Sequence, residues 1–211
     1  IYTVTAGGGG DNITLGSGAD TVKFAAAKLT NSDTVNGGGG SDTIKFTASS
    51  SIADVDLTNV TNIENLTLDN LSHNLTLVMG SEALGAGLTS VTTGTGTNSI
   101  TIGSGYTGAL NIALGAGTDT VNGSGQSSGS LTVTIDQDSI TTADTITGGS
   151  ATDTLTITSG ASAGALASAD LDNLTSFSTI QTAGNNAFGI TTHDNNVASG
   201  QTVTFNANSL T

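Results

Sequence analysis

The sequence predicts an all-β chain of many short strands wound as a solenoid. Three observations carry that expectation: apolar residues alternate with Thr or Asn over short runs, Gly, Asn, Asp and Ser cluster between the runs, and the clusters recur at fixed intervals. Alternation with a period of two marks a strand buried on one face, and Gly- and Asx-rich clusters mark tight turns. In chain order the runs are Ile13-Thr14-Leu15, Asn65-Leu66-Thr67-Leu68, Asn74-Leu75-Thr76-Leu77-Val78, Ser99-Ile100-Thr101-Ile102, Leu131-Thr132-Val133-Thr134-Ile135, Thr154-Leu155-Thr156-Ile157-Thr158 and Thr202-Val203-Thr204-Phe205. Helix signals are scarce.

Between the strands a nine-residue phrase recurs. Gly37-Gly38-Gly39-Gly40-Ser41-Asp42-Thr43-Ile44-Lys45 fits every fixed position of Gly-Gly-x-Gly-x-Asp-x-aliphatic-x. Ala6-Gly7-Gly8-Gly9-Gly10-Asp11-Asn12-Ile13-Thr14 departs only at its first position, and it runs directly into Leu15-Gly16-Ser17-Gly18-Ala19-Asp20-Thr21-Val22-Lys23. Leu114-Gly115-Ala116-Gly117-Thr118-Asp119-Thr120-Val121-Asn122 repeats that second form, and Gly148-Gly149-Ser150-Ala151-Thr152-Asp153-Thr154-Leu155-Thr156 lacks the third Gly. Asp33-Thr34-Val35 and Asp144-Thr145-Ile146 keep only the tail, and Asn98 stands in the Asp slot before Ile100.

The spacing gives the architecture. Asp11 to Asp20, Asp33 to Asp42 and Asp144 to Asp153 are each nine residues, while Asp11 to Asp33 and Asp20 to Asp42 are each 22. If successive phrases turn on opposite sides of a flattened coil, Asp11 stacks on Asp33 and Asp20 on Asp42, with extra residues inserted between Phe24 and Ser32. A longer repeat overlies this one: Asp56, Leu57, Asn59 and Thr61 recur as Asp170, Leu171, Asn173 and Thr175, 114 residues later. A solenoid of unequal coils, each touching only its neighbours, accommodates both periods. The expectation is one continuous solenoid over residues 1–211, in two related units of about 1–135 and 136–211. With no Met start and no signal peptide, the chain reads as a fragment of a larger protein or a processed product.

Composition narrows the role. Leu, Ile, Val and Phe number 48 of 211 residues, which predicts a thin core that needs further support. Acids outnumber Lys 17 to 3, no Arg is present, and the net charge is −14. A nucleic-acid binder needs cationic side chains to meet phosphates, so that class is excluded. Without Cys there are no disulfides and no thiolate metal sites. No run of about 18 apolar residues is present to span a membrane.

Fifteen of the acids are Asp, a short side chain that suits turns and holds hard cations. Calcium takes six to eight oxygens from carboxylates and carbonyls. A Gly-rich loop can aim its carbonyls at one point, and two stacked loops supply enough ligands. The expected metal-ligating set is therefore Asp11, Asp20, Asp33, Asp42, Asp119, Asp144 and Asp153, with the loop glycines Gly7, Gly9, Gly16, Gly18, Gly37, Gly38, Gly40, Gly115, Gly117, Gly148 and Gly149. The aliphatic residues that follow, Ile13, Val22, Val35, Ile44, Val121, Ile146 and Leu155, are expected in the core. Folding is expected to depend on Ca2+, because stacked carboxylates repel when no ion joins them.

These nonapeptides resemble the calcium-binding β-roll of the repeats-in-toxin (RTX) family. The resemblance implies a right-handed parallel β-solenoid (β-roll or β-helix) with calcium in its Gly/Asp turns, exported by a type I system. The irregular, weakly charged Thr/Ala/Gly/Asn strands and phrases such as Val60-Thr61-Asn62-Ile63-Glu64-Asn65-Leu66 are similar to Gram-negative surface-layer proteins of the Caulobacter type. That likeness implies a non-enzymatic protein that assembles with itself on the bacterial cell surface. Contacts with surface polysaccharide or lipopolysaccharide would run through regions outside this chain. An RTX adhesin stalk or biofilm matrix protein, and the solenoid tail of a secreted hydrolase or toxin, are the alternatives. The family's C-terminal secretion signal and an anchoring domain are not recognisable before Ser209-Leu210-Thr211.

The remaining polar residues have plainer readings. Asp54, Asp56, Asp170 and Asp172 are expected to cap a turn or short helix, and Asn98 to serve a turn. His73 and His193 are isolated. Thr ladders such as Thr154, Thr156 and Thr158 could suggest ice binding, but they reflect strand composition. Sequons such as Asn12-Ile13-Thr14 are expected by chance in so Thr-rich a chain. No nucleophile elbow, phosphate loop with Lys or His-based metal centre is present, so no catalytic residues are expected.

Overall fold

A computed structural model describes residues 1–68, 72–149, 152–160, 166–184, 191, 196 and 204–206. Ser150, Ala151, His193, Thr202, Val203 and Ser209-Leu210-Thr211 lie outside the described residues. The chain is an all-β parallel solenoid of about eight turns. One sheet has ten strands: β1 (Thr3–Thr5), β3 (Thr21–Phe24), β5 (Thr43–Phe46), β8 (Asn65–Leu68), β10 (Ser90–Thr92), β12 (Leu110–Ala113), β14 (Leu131–Asp136), β16 (Thr154–Thr158), β18 (Thr179–Ala183) and β19 (Thr204–Asn206). A second has six: β6 (Ser50–Ile52), β9 (Leu75–Met79), β11 (Asn98–Ile102), β13 (Asp119–Asn122), β15 (Thr145–Thr147) and β17 (Leu174–Thr175). A third joins β2 (Asn12–Thr14), β4 (Thr34–Asn36) and β7 (Val60–Thr61).

Register fixes the coils. Thr3 pairs with Thr21, Thr21 with Thr43 and Thr43 with Asn65, steps of 18, 22 and 22 residues. Later steps are 25 (Asn65 to Ser90), 21 (Ser90 to Asn111) and 22 (Thr132 to Thr154). The insertion after Phe24 is a turn in which Asp33 N–H donates to Thr30 O at 3.0 Å and Leu29 is buried. Alternation sends one face of each strand inward, so Val22, Ile44, Leu66, Val91, Ile112, Val133, Leu155 and Ile180 stack as one buried column. Leu77, Ile100, Val121, Ile146 and Leu174 face them as a second. Phe24 and Phe46 pack on adjacent rungs with ring centroids 6.4 Å apart.

Six of the seven aliphatics expected inside are fully buried; Ile13 is only half-buried. Its strand β2 is the first of its sheet, with a neighbour on one side only. The outward column of the large sheet reads Thr3, Thr21, Thr43, Asn65, Ser90, Asn111, Thr132, Thr154 and Thr179, so threonine is interrupted over the three middle coils.

The 114-residue repeat is a repeated corner. A 3-10 helix at Asp54–Leu57 precedes β7, and another at Ser168–Leu171 precedes β17. Asp56 Oδ2 accepts the Ala53 amide and Asp170 Oδ2 the Ala167 amide, as the capping expectation requires. Asn59 Nδ2 donates to Asn31 O, and Asn173 Nδ2 to Thr142 O. Asp54 reaches the next coil: its Oδ1 accepts the Gly80 and Ala83 amides at 2.7 and 2.9 Å, at the start of the short helix α1 (Ser81–Ala86). Asp172 follows its 3-10 helix directly.

Candidate metal centre

Each motif aspartate stands at the mouth of a strand. Asp11, Asp20, Asp33, Asp42, Asp144 and Asp153 precede β2, β3, β4, β5, β15 and β16 at or just before the first strand residue, and Asp119 opens β13. Parallel register sets Asp11 beside Asp33 and Asp20 beside Asp42. It also sets Asp119 beside Asp144, a partner 25 residues away that no nine- or 22-residue spacing announced. Asp153 lies over Ser130 and Leu131, so it has no carboxylate beneath it.

The carboxylates bind amides across coils. Asp11 N–H donates to Asp33 Oδ1 at 2.8 Å, Asp20 N–H to Asp42 Oδ1 at 2.7 Å, Asp119 N–H to Asp144 Oδ1 at 2.8 Å and Leu131 N–H to Asp153 Oδ1 at 2.7 Å. Tyr2 N–H reaches Asp20 Oδ1 in the same way. Sequence reasoning missed Glu64, which continues the series by accepting Asp42 N–H on Oε2 at 2.7 Å. The available signal was its place 22 residues after Asp42, the step that separates Asp20 from Asp42.

The second oxygen folds back onto its own turn. Oδ2 accepts the amide four residues earlier in three copies: Gly7 to Asp11 (3.0 Å), Gly16 to Asp20 (3.2 Å) and Gly149 to Asp153. In two others it accepts the amide three residues earlier, from Thr30 to Asp33 and Thr141 to Asp144, both at 2.8 Å. Asp42 and Asp119 depart from this. Gly38 N–H, four before Asp42, donates instead to Asn36 Oδ1 at 2.9 Å. Gly115 N–H, four before Asp119, donates instead to Thr93 Oγ1 at 3.3 Å. Asp42 Oδ2 and Asp119 Oδ2 are therefore buried without any hydrogen-bond donor.

Asn98 shows what its slot demands. Its Nδ2 donates to Asp119 Oδ1 at 2.8 Å and Gly96 O at 3.0 Å, with Gly94 O at 3.5 Å. Its Oδ1 accepts the Leu75 amide. A neutral NH2 thus sits among two loop carbonyls and a carboxylate. Burial pushes the Asp119 carboxyl up to about 6; the Asn98 amide opposes that and the charge of Asp144 adds to it. Burial also raises Asp153, against the Leu131 and Gly149 amides.

The glycines have distinct tasks. Gly38 and Gly40 sit at φ +90° and +123°, and a Cβ on them would lie 2.1 Å from Gly16 O and 2.5 Å from Gly18 O of the preceding coil. Stacking at this distance, as much as positive φ, selects Gly. Gly9 and Gly117 also have positive φ, and a Cβ on Gly115 would meet Gly94 O. Gly37 and Gly148 N–H groups bond to Thr61 O and Thr175 O.

The donor set around Asp42 suits a hard cation. A Cβ on Gly37 would lie 2.0 Å from Asn62 O and 2.6 Å from Asp42 Oδ2, so two oxygens flank one glycine, and Asp42 Oδ2 has no hydrogen-bond donor. Leaving such an oxygen unpaired costs on the order of 1–3 kcal/mol. Among the described residues no three acidic or His side chains converge, so backbone carbonyls would supply most ligands. Compared with known proteins, the chain matches no family model, no curated protein and no solved structure. Fold and site define a parallel β-solenoid with stacked aspartate turns.

Proposed function

We propose that this chain is a non-enzymatic, calcium-binding structural module of an extracellular bacterial protein related to the RTX β-roll. The observation that carries the reading is the pair of buried, donorless oxygens, Asp42 Oδ2 and Asp119 Oδ2, in Gly-rich turns of RTX-like pattern. Asp42 with the Asn62 carbonyl would hold one ion and Asp119 another. When bound, calcium supplies the positive charge that no amide brings to these oxygens. The chain's own residues do the rest: the amide-to-carboxylate bonds hold neighbouring coils in register, and the buried columns close the core. Extracellular calcium modules bind at about 10⁻⁴–10⁻³ M, which suits a surface protein exported by a type I system.

The chain would build a surface-layer lattice with further copies of itself. Coil steps from 18 to 25 residues favour such an irregular unit over an adhesin stalk of identical repeats or a toxin tail. Thermal melts followed by far-UV circular dichroism, with calcium and with chelator, test the ion: a higher melting temperature with calcium is expected, and identical melts would refute it. Electron microscopy of producing cells tests the lattice, for which a periodic coat is expected; a bare surface or isolated fibres would refute it.

A further inference from the structure

Resting on that reading, we infer that cation uptake is confined to two turns, those of Asp42 and Asp119, and that Asn36 and Thr93 are the positioning residues that reserve them. The other five carboxylates already accept amides on the oxygen that folds back into the turn, so an N–H dipole there already meets the charge that an ion would otherwise meet. At Asp42 and Asp119 the would-be donor has been drawn away, Gly38 N–H by Asn36 Oδ1 and Gly115 N–H by Thr93 Oγ1. Both residues are 1% exposed, so bulk solvent does not reach these oxygens.

The repeated corner supplies an internal control. Gly37, Asp42 and Asn62 recur as Gly148, Asp153 and Ser176; a Cβ on Gly148 would meet Ser176 O at 2.4 Å and Asp153 Oδ2 at 3.0 Å. The surroundings match, yet Gly149 N–H reaches Asp153 Oδ2. Thr147 stands there in place of Asn36. Asn36 Oδ1 accepts both Gly38 N–H and Asn62 Nδ2, each at 2.9 Å, and so holds the turn open.

Calorimetric titration of the metal-free full chain with calcium alone, at neutral pH, tests this, with circular dichroism confirming the fold of each variant. Two ions per chain are expected. Asp42→Asn should leave one. Asn36→Thr keeps the carboxylate but returns Gly38 N–H to it, and should also leave one; Asn36→Asp keeps the acceptor and should restore two. Thr93→Val should remove the other ion. Asp33→Asn and Asp144→Asn should still bind two. Uptake of more than two ions, with Asp33→Asn and Asp144→Asn each losing one, would overturn the confinement while leaving calcium binding intact. Two ions in Asn36→Thr would overturn the role of Asn36. No uptake by the unmodified chain would overturn the calcium reading itself.

Discussion

The backbone N–H of Asp20 donates to Oδ1 of Asp42, 2.7 Å away and one coil further along the solenoid. That bond fastens neighbouring coils at the point where sheet pairing stops and the turn begins. The same bond recurs from Asp11 to Asp33 and from Asp119 to Asp144. A buried amide left without its acceptor costs about 1–3 kcal/mol. Asp33→Ala should therefore lower stability by about 2–4 kcal/mol, since it orphans the Asp11 and Thr30 amides together. Urea unfolding read with and without chelator checks this, and the loss should be equal in both.

Asn98→Asp replaces a donor with an acceptor among Gly94 O, Gly96 O and Asp119 Oδ1. Like charges and carbonyls would then face one another out of water. Stability in chelator should fall by about 3–5 kcal/mol. Calcium should restore part of it and raise the ion count by one, which titration and unfolding together would read.

Gly38→Ala and Gly39→Ala sit side by side in one motif and should behave oppositely. A Cβ on Gly38 meets Gly16 O at 2.1 Å and φ is +90°, whereas the nearest atom to a Cβ on Gly39 is Ser17 Cα at 3.9 Å. The first should cost more than about 3 kcal/mol and the second within about 0.5 kcal/mol. Urea midpoints compare them.

Tyr106 is fully buried and its hydroxyl donates to Leu88 O. Burial pushes its pKa up to about 12 from the ordinary 10.0. Between those values the unfolded chain has lost the proton that the folded chain keeps, so stability falls as pH rises from about 10 to 12. The two-unit displacement amounts to about 3 kcal/mol at most. Tyr106→Phe should be less stable near neutrality but lose this alkaline decline, as urea midpoints across that range would show.

The sheets were legible because alternation such as Leu131-Thr132-Val133-Thr134-Ile135 needs only local pattern, and the burial of Leu131, Val133 and Ile135 follows it. The 22-residue step read correctly as Asp20 beside Asp42, since equal coils keep register. Asp119 beside Asp144 was not legible, because that coil is longer by the residues of its own turn. Nor was the contrast between Asp42 and Asp153, two copies of one phrase. It depends on whether Asn36 or Thr147 precedes the glycines, and so on which acceptor a single amide finds first. Glu64 escaped notice because it matches the spacing but not the motif.

The most direct test of the central claim is a crystal structure grown in calcium, with anomalous scattering recorded to locate the ions. The expected result is an anomalous peak within coordination distance of Asp42 Oδ2 and another beside Asp119 Oδ2, with amides still bonded to the carboxylates of Asp33 and Asp144. Turns without any such peak, their aspartates held by N–H groups alone, would contradict it.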